Sequence, residues 1–392
     1  KRSEVRKWRK KIKDKVKENG IPSEVSDILW QILEDSANYS FNKSHSVSYA
    51  ALAASTVYLK FKHPKEFFLS LLKMSRHEPD PISEISKIHK EMDLFNINLL
   101  PPHLTKSNMD FSIEGDDIRF GLLSIKGISD KAVEKINDFK NEYSTKFEVF
   151  AAAKEAKLNV GVLSALIQAG ALEGFKQSRS KVVLEAQLWN ILHVKEKKYA
   201  MRFAEKFNHD LIEIVKHLKT FQDEKGKVVI TESRYETIKK KYLPYKEIYD
   251  LNSKSEFFAN WYYEKMLLGY TYNKTLKDIF SSKREGLISV RSVNGLAERN
   301  RVVFIGQIED CWKGKSKNGN KYYKMDVADE TATSKVMIFN DKMEDCQSIN
   351  NGLPQKGQIV IVKGSTADGV VFADLISVQD NKVYTKLSEL KN

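Results

Sequence analysis

Residues 301–339 read RVVFIGQIEDCWKGKSKNGNKYYKMDVADETATSKVMIF, and this stretch sets the fold class of the carboxyl-terminal part of the chain. Short apolar runs rich in Val, Ile and aromatic residues alternate here with turn-forming residues, and the pattern continues to residue 376. A short helical stretch at 341–349 separates the third run from the fourth. The pattern predicts five strands, at 302–308, 322–327, 334–339, 358–363 and 370–376.

Three strands, a helix and two further strands form the element order of an OB-fold, a small barrel that commonly holds oligonucleotides. Another small β barrel without a ligand would have a similar pattern, so the element order favours the OB-fold without excluding that alternative. We place the barrel at 291–380.

The chain before the barrel is predicted to be mostly helical. Apolar residues recur at helical spacing through the first hundred residues, and Leu100-Pro101-Pro102 ends this region. A hairpin is predicted at 110–120 around Gly115-Asp116. Helices resume near Leu122, and a Lys-rich helical connecting module follows, interrupted near Gly226. The expected fold class is therefore α+β with several domains.

Charge is the first indication of a partner. The 392 residues include 65 Lys and Arg against 52 Asp and Glu, a formal net charge of +13. A basic excess of this size favours a polyanion, most often nucleic acid. The alternative is a solvated surface of mixed charge, because acidic residues are also plentiful.

Cysteine content and apolar runs indicate the cellular setting. Cys311 and Cys346 form no CxxC pair, so neither a disulfide framework nor a zinc site is predicted. The apolar runs are too short for a membrane span, and we expect a cytoplasmic protein without a membrane partner. The first residue is Lys1 rather than Met, which suggests a sequence cut from something longer.

Residues 41–50, FNKSHSVSYA, place a lysine, a serine and a histidine where a helix begins. A helix N-terminus offers free N–H groups and a partial positive charge, so it attracts phosphate. Lys43 adds a charge, Ser44 a hydroxyl donor and His45 a donor or proton source. A helix cap with exposed polar neighbours explains the same residues equally well.

Residues 125–132, IKGISDKA, form a helix-hairpin-helix signature. Gly127 allows the backbone to turn tightly, and the small Ser129 lets the N–H groups of the hairpin, including that of Ile128, reach a DNA phosphate. Lys126 and Lys131 add positive charge. An ordinary pair of helices joined by a tight turn is the alternative.

A basic segment with aromatic residues at its edges lies between the first two predicted strands of the barrel. Lysines can follow a nucleic-acid backbone while rings stack on the bases. The alternative is a solvated loop whose Trp and Tyr face the core. The candidate residues are Trp312, Lys313, Lys315, Lys317, Lys321 and Tyr322.

These motifs together resemble the C-family replicative DNA polymerases, the alpha subunits of bacterial DNA polymerase III. The segment FNKSH followed by YA resembles the fingers of that family. The resemblance continues in order along the chain: YLK at 58–60, HPKEF at 63–67, LLPP at 99–102 and IRFGL with IKGI at 118–128. LIQAGAL at 166–172, within 163–175, resembles the second half of a paired hairpin motif. The chain corresponds to the part from the fingers to the OB-fold.

The resemblance implies a domain order and a set of roles. The domains would be fingers at 1–110, tandem helix-hairpin-helix motifs at 111–180, a helical linker near a clamp site at 181–285, and the barrel. Lys43, Ser44 and His45 would contact the incoming dNTP. The hairpins would bind primer-template DNA and the barrel single-stranded template.

The catalytic palm is expected to be absent from this chain. Polymerases hold two metal ions on carboxylates, which the family supplies from an Asp-x-Asp strand and a further Asp. No Asp-x-Asp occurs here. We therefore expect no catalytic residue and no bound metal or cofactor. Mg²⁺ would bind the palm-bearing portion, and the chain alone would be inactive as a nucleotidyltransferase.

Two segments depart from the family pattern. Asn273-Lys274 stands where the family has His-Pro. A sliding clamp is an implied partner, and QLWNIL at 187–192 is the nearest candidate for its binding peptide, although a buried amphipathic helix explains that segment better. A stand-alone DNA-binding accessory and a clamp-interaction scaffold built from the same modules remain the alternative functions.

Overall fold

The computed structural model describes residues 2–38, 43–172, 174–175, 177–282, 284–316, 319–379 and 382–391. The chain divides into two compact units, Lys1–Phe67 and Phe68–Asn392.

The first unit contains three helices, as the apolar spacing predicts. They are α1 Arg2–Glu18, α2 Ser23–Asn38 and α3 Lys43–Lys62. Gly20, with φ +66°, ends the first of them. Trp30 on α2 is buried beneath the Arg9 guanidinium, which lies 5.6 Å from the ring centroid. The contact between α1 and α2 therefore forms the small core of this unit.

The second unit contains the remaining helices, and the first of them crosses the boundary between the units. These helices are α4 Pro64–Ser75, α5 Pro81–Met92, α6 Val133–Phe139, α7 Lys146–Glu155, α8 Val160–Gln168, α9 Arg179–Ile191, α10 Val194–Arg202, α11 Leu211–Leu218, α12 Glu232–Asn252, α13 Glu256–Leu268, α14 Leu276–Phe280, α15 Val290–Asn294 and α16 Asn340–Asn350.

Local sequence signals explain where several of these helices begin. Thr145 and Glu148 form a capping box at the start of α7: the Thr145 hydroxyl accepts from the Glu148 N–H, and the Glu148 carboxylate accepts from the Thr145 N–H. Asp80 caps α5 by accepting from the Ser83 N–H at 3.2 Å. Such caps satisfy N–H groups that the helix itself leaves unpaired.

A small three-stranded sheet consists of β1 Leu99–Leu100, β2 Ser112–Glu114 and β3 Asp117–Arg119. The predicted hairpin is present, since β2 and β3 are antiparallel around Gly115, whose φ is +65°. The parallel pairing of β1 with β3 was not expected, because the Leu100-Pro101-Pro102 signal predicted only the end of the helices. A strand of only two residues is too short to show an alternating pattern, so its pairing with a distant strand could not be predicted.

The barrel contains β4 Arg301–Lys315, β5 Lys321–Ala328, β6 Thr333–Phe339, β7 Ile359–Ala367 and β8 Val370–Gln379. They close in the order β4-β5-β6-β8-β7, with α16 between β6 and β7. Its core includes Phe304, Met325 and Val360, all fully buried. The predicted α+β class, helices followed by a small barrel, is confirmed.

The turn between β5 and β6 attaches the barrel to the helices of the same unit. The Asp329 carboxylate accepts from the Val290 N–H at 2.8 Å, and the Glu330 carboxylate accepts from the Leu276 N–H at 2.9 Å. The Trp261 indole also donates to Glu330. Burial raises the pKa of Glu330. These contacts hold the barrel in a defined position against the helical region.

The candidate clamp-binding peptide at 187–192 is part of the core. Leu188 and Trp189 lie on α9 and are buried. The Trp189 ring lies 5.5 Å from that of Phe147 and 5.9 Å from that of Phe150. A clamp could not reach these side chains without unfolding the helix, so the structure favours the buried amphipathic helix. No described helix is long and apolar enough to cross a membrane.

Candidate nucleic-acid interface

The first hairpin places its turn at the surface. Gly127 has φ +94° and no atom lies within 4 Å of the position that a Cβ would take. Ile128 is 8% exposed and anchors the turn, and its N–H donates to the Ile125 carbonyl at 3.1 Å, so this N–H is already paired rather than available to a phosphate. The Lys126 N–H donates to the Leu267 carbonyl at 3.0 Å. The turn is therefore fixed from beneath and open above.

Polar groups of this turn point to an anion as ligand. Among the described residues, no acceptor pairs with the N–H groups of Gly127 and Ser129. The side chains of Lys126, Ser129 and Lys131 are exposed. Asp130 forms an ion pair with Arg76 at 2.7 Å, so its carboxylate is partly neutralised. Free N–H groups beside lysines suit a phosphate oxygen.

The stretch 163–175, expected to be the second half of the paired motif, contains a buried turn. Gly170 has φ +81°, and a Cβ there would collide with the side chains of Tyr272 and Arg179. The Tyr272 hydroxyl donates to the Ala169 carbonyl at 3.0 Å, and Arg179 donates to the Gln168 carbonyl at 3.2 Å. This turn has no surface for DNA.

Buried Glu264 fixes the same turn. Its carboxylate accepts from Arg179 at 2.8 Å, from the Tyr272 N–H at 3.0 Å and from the Asn273 side chain. Asn273, which departs from the family pattern, thus has a structural partner. The network links α8, α9 and α13 and explains why the Gly170 turn is rigid and inaccessible.

A second exposed turn lies between α7 and α8, and no residue of this turn was predicted to bind DNA. Lys157 has φ +53°, Leu158 is 9% exposed and Asn159 is exposed. This order of left-handed residue, buried apolar anchor and small polar residue repeats that of Gly127, Ile128 and Ser129. The repeat was the signal available in the sequence, but a lysine occupies the place of the glycine.

The two exposed turns differ in how their N–H groups are used. The Asn159 side chain accepts from the Gly161 N–H at 2.7 Å and so caps α8. Ser129 makes no such cap, and the N–H groups of Gly127 and Ser129 stay unpaired among the described residues. Both turns line one hollow of about 590 Å³, together with residues of α12 and α13.

The basic segment 312–323 is mostly strand rather than loop, which corrects the expected location. β4 extends to Lys315 and β5 starts at Lys321, so only 316–320 form the connection. Lys317 lies outside the described residues. The pairing of β4 with β7 ends at Gln307, and Trp312, Lys313 and Lys315 beyond it are exposed, so this part of the strand shows no apolar alternation and its sequence resembles that of a loop.

Strand pairing separates the candidate residues onto two faces. Trp312 is opposite Lys324, and Gly314 is opposite Tyr322. Lys313 and Lys315 lie on the other face, opposite Tyr323 and Lys321 respectively. Because side chains alternate along a strand, the three lysines do not share a path with the two rings. Tyr323 is buried, and burial raises the pKa of its hydroxyl, so this ring is not a stacking surface.

The face with Trp312 carries a row of rings that the sequence analysis missed in part. Trp312 is 37% exposed, and the Lys324 ammonium lies 4.8 Å from its ring centroid. The rings of Tyr322 and Phe339 are 6.0 Å apart, and Phe339 stacks on Phe372 at 6.0 Å. Only strand pairing reveals this row, because its members lie on four strands.

Lys43, Ser44 and His45 form the start of α3, as predicted. Ser44 and His45 are exposed, and the His45 ring lies 4.4 Å from that of Tyr49. Phe41 and Asn42 lie outside the described residues. In the part of the chain that the structure describes, no group of three or more His, Cys, Asp or Glu residues could hold a metal ion.

Comparison with known proteins finds a motif in part of the chain. A family model of the helix-hairpin-helix motif matches residues 96–182, the region that contains both exposed turns.

Curated relatives of the chain include DNA polymerase III alpha subunits. That of Thermus aquaticus is 26% identical over 345 residues, which cover 87% of this chain and 26% of that protein. That of Aquifex aeolicus is 26% identical over 360 residues, covering 88% and 26%. That of Deinococcus radiodurans is 33% identical over 162 residues, covering 41% and 12%. The chain spans about a quarter of the length of the first two relatives.

A solved structure of the mitochondrial single-stranded DNA binding protein Rim1 from S. cerevisiae covers 22% of this chain at 19% identity. Its TM-score of 0.18 is too low to support an argument. Homology to DNA polymerase III alpha subunits thus extends along most of the chain, and a helix-hairpin-helix motif lies within it.

Proposed function

We propose that this chain is the part of a replicative DNA polymerase alpha subunit that runs from the fingers to the barrel and holds DNA beside a palm carried elsewhere. The observation that carries the proposal is the first hairpin, whose exposed turn keeps unpaired N–H groups beside two lysines. Similarity to alpha subunits over most of the chain supports the assignment.

In this proposal the first hairpin binds the DNA backbone. The N–H groups of Gly127 and Ser129 donate to a phosphate oxygen, and Lys126 and Lys131 neutralise its charge. Phosphate contacts fix the position of DNA without reading its sequence. A replicating enzyme needs such sequence-independent contacts, because it must move along every template sequence.

Duplex binding by the full chain tests these contacts. Valine at position 127 would disturb the tight turn and move its N–H away from the phosphate. We therefore expect Gly127→Val to weaken binding about tenfold, because a hydrogen bond to a charged group contributes about 1.5–3 kcal/mol. Gly226→Val is the matched control: Gly226 also has positive φ and open space around it, but it lies in the loop between α11 and α12 and does not line the hollow at Gly127. The measurement is fluorescence anisotropy with duplexes of unrelated sequence across a salt series.

Equal affinities for the two valine variants, with both proteins folded by circular dichroism, would show that the hairpin is only structural. Strong dependence on duplex sequence would contradict backbone recognition.

We further propose that Lys43, Ser44 and His45 at the start of α3 contact the incoming dNTP. The exposed side chains of Ser44 and His45 at the N-terminus of a 20-residue helix support the proposal. Leu29, Ile32 and Leu52 on α2 and α3 are exposed apolar residues, which suits a surface covered by the palm-bearing portion. Mg²⁺ would belong to that portion.

Primer extension tests this assignment. The chain alone should extend no primer with Mg²⁺ or Mn²⁺, and extension by pure protein would contradict the assignment. When the palm-bearing portion is added, Lys43→Ala and His45→Ala should reduce nucleotide incorporation more than DNA binding. Normal incorporation by both variants would leave the motif as a helix cap.

The row of rings on the barrel favours a second role, the binding of single-stranded template. Trp312 beneath Lys324, followed by Tyr322, Phe339 and Phe372, offers rings for stacking and a charge for the backbone. Stacking contributes about 1–3 kcal/mol per base and tolerates every base. The ring-bearing face replaces the lysine loop as the proposed surface.

Binding of labelled oligo-dT tests this role. We expect Trp312→Ala to weaken binding at least fivefold, whereas Phe257→Ala should not change it. Phe257 is also an exposed ring with a lysine above it, since the Lys274 ammonium lies 3.5 Å from its centroid, but it belongs to α13. Identical effects of the two substitutions would leave the barrel as a protein-docking module.

A stand-alone DNA-binding accessory would also use the hairpin and the barrel. It would gain nothing from Lys43 and His45, so the incorporation assay separates the two functions. A clamp scaffold is less favoured, because the nearest clamp-like peptide is buried in α9.

A further inference from the structure

After the barrel, residues 383–389 return to the helical region and dock on it. Asn252, at the end of α12, is 1% exposed, and its amide pairs with both backbone groups of Tyr384. It accepts from the Tyr384 N–H at 3.0 Å and donates to the Tyr384 carbonyl at 2.8 Å. Gln168, also buried, donates to the Thr385 carbonyl at 3.2 Å.

These contacts form a built anchor. The Asn252 amide also donates to the Tyr263 hydroxyl at 2.6 Å, and that hydroxyl shares a hydrogen bond with Ser180. Buried polar side chains require partners, because an unpaired polar group in the interior is costly. Buried Asn252 and Gln168, on α12 and α8, therefore hold the segment in one place. Tyr263 on α13 and Ser180 on α9 support Asn252.

The anchor places a lysine on the hollow that the first hairpin lines. Lys386 is exposed and lines the same hollow as Lys126, Gly127 and Gly161. The one acidic side chain among the described residues of that lining is Glu389, whose carboxylate accepts from the Thr385 N–H at 2.7 Å and from its hydroxyl. The hollow thus has positive charge on two walls that are far apart in sequence.

We propose that Lys386 contacts a phosphate of the DNA strand that the first hairpin holds. The inference rests on the proposed function, since it names a third element of the same interface. The barrel then contributes to duplex binding through the segment that follows it, and the anchor at Asn252 keeps that contact in register with the hairpin. An exposed lysine on a hollow lined by phosphate-binding N–H groups suits this role.

Duplex anisotropy titrations of the full chain across a salt series test the contact. Lys386→Gln should weaken binding about fivefold and lower the slope of log K against log salt by about 1, as the loss of one phosphate contact requires. Lys382→Gln is the matched control: Lys382 directly precedes the segment and is exposed, but it lines a different hollow beside Phe258.

A larger effect of Lys386→Gln than of Lys382→Gln supports the inference. Equal effects, or an unchanged salt slope for Lys386→Gln, would overturn it while leaving the hairpin proposal intact. Failure of the unsubstituted chain to bind duplex DNA would instead overturn the proposed function, and the inference with it.

Discussion

The turns at Gly127 and Gly170 share a left-handed glycine and have opposite surroundings. Both glycines have left-handed φ, +94° and +81°, and both lie within the region matched by the helix-hairpin-helix model. Gly127 is exposed above a buried Ile128, whereas Gly170 is enclosed by Tyr272 and Arg179. A glycine turn therefore predicts a backbone shape, and solvent access decides whether that shape can bind DNA.

The turn at Lys157–Asn159 is intermediate between the two. It is exposed like Gly127, but the Asn159 side chain already pairs with the Gly161 N–H. Substitutions at the three turns should therefore affect stability and DNA binding in different proportions.

Gly170→Val should have the largest effect on folding. A left-handed backbone costs a larger residue about 1–2 kcal/mol, and overpacking against Arg179 and Tyr272 adds about 1–3 kcal/mol. We expect the free energy of unfolding to fall by about 2–5 kcal/mol in urea denaturation. A stability equal to that of the unsubstituted chain would show that the turn is not enclosed.

Gly127→Val should lower the free energy of unfolding by only about 1–2 kcal/mol, because its Cβ meets open space. Its main effect should be on DNA binding. Urea denaturation of this variant beside Gly170→Val measures the difference, and equal losses of stability would remove the contrast between the two turns.

Lys131→Gln should reduce the slope of log K against log salt by about 1 and weaken duplex binding uniformly across sequences. Lys131 is exposed next to the Gly127 turn, and Lys225 is an exposed lysine in the loop between α11 and α12 that does not line the hollow at Gly127. Lys225→Gln should leave the slope unchanged. A slope unchanged in both variants would place the phosphate path away from Lys131.

Asn159→Ala should have the smallest effect, a loss of about 1 kcal/mol in the free energy of unfolding, because it removes the cap of α8. Duplex affinity should stay unchanged. A loss of affinity comparable to that of Gly127→Val would show that the Asn159 side chain itself contacts DNA, and the two exposed turns would then be equivalent.

Much of the fold could be predicted because its signals are local. Four of the five barrel strands and α16 begin and end within a few residues of their predicted positions, since alternating apolar residues and turn residues mark them, whereas β4 continues seven residues past its predicted end at 308. The hairpin at Gly115 and the start of α3 at Lys43 follow from the same kind of signal.

The candidate site was harder to predict, because its members are assembled from distant segments. Lys324, Phe339 and Phe372 join Trp312 only through strand pairing. The lysines at 313, 315 and 321 were expected on one path with the rings, but one-residue alternation places them on the opposite face.

By itself, the sequence determined the order of elements, the left-handed turns and the basic character of the chain, because these depend on residue type and near neighbours. Tertiary structure alone decided which turn faces solvent, since Arg179 and Tyr272 cover Gly170 from positions far along the chain. It also brought Tyr384 to Asn252 and so placed Lys386 on the hollow that Lys126 and Gly127 line. Burial and hydrogen-bond pairing over such separations depend on the packing of the whole unit, which no local pattern records.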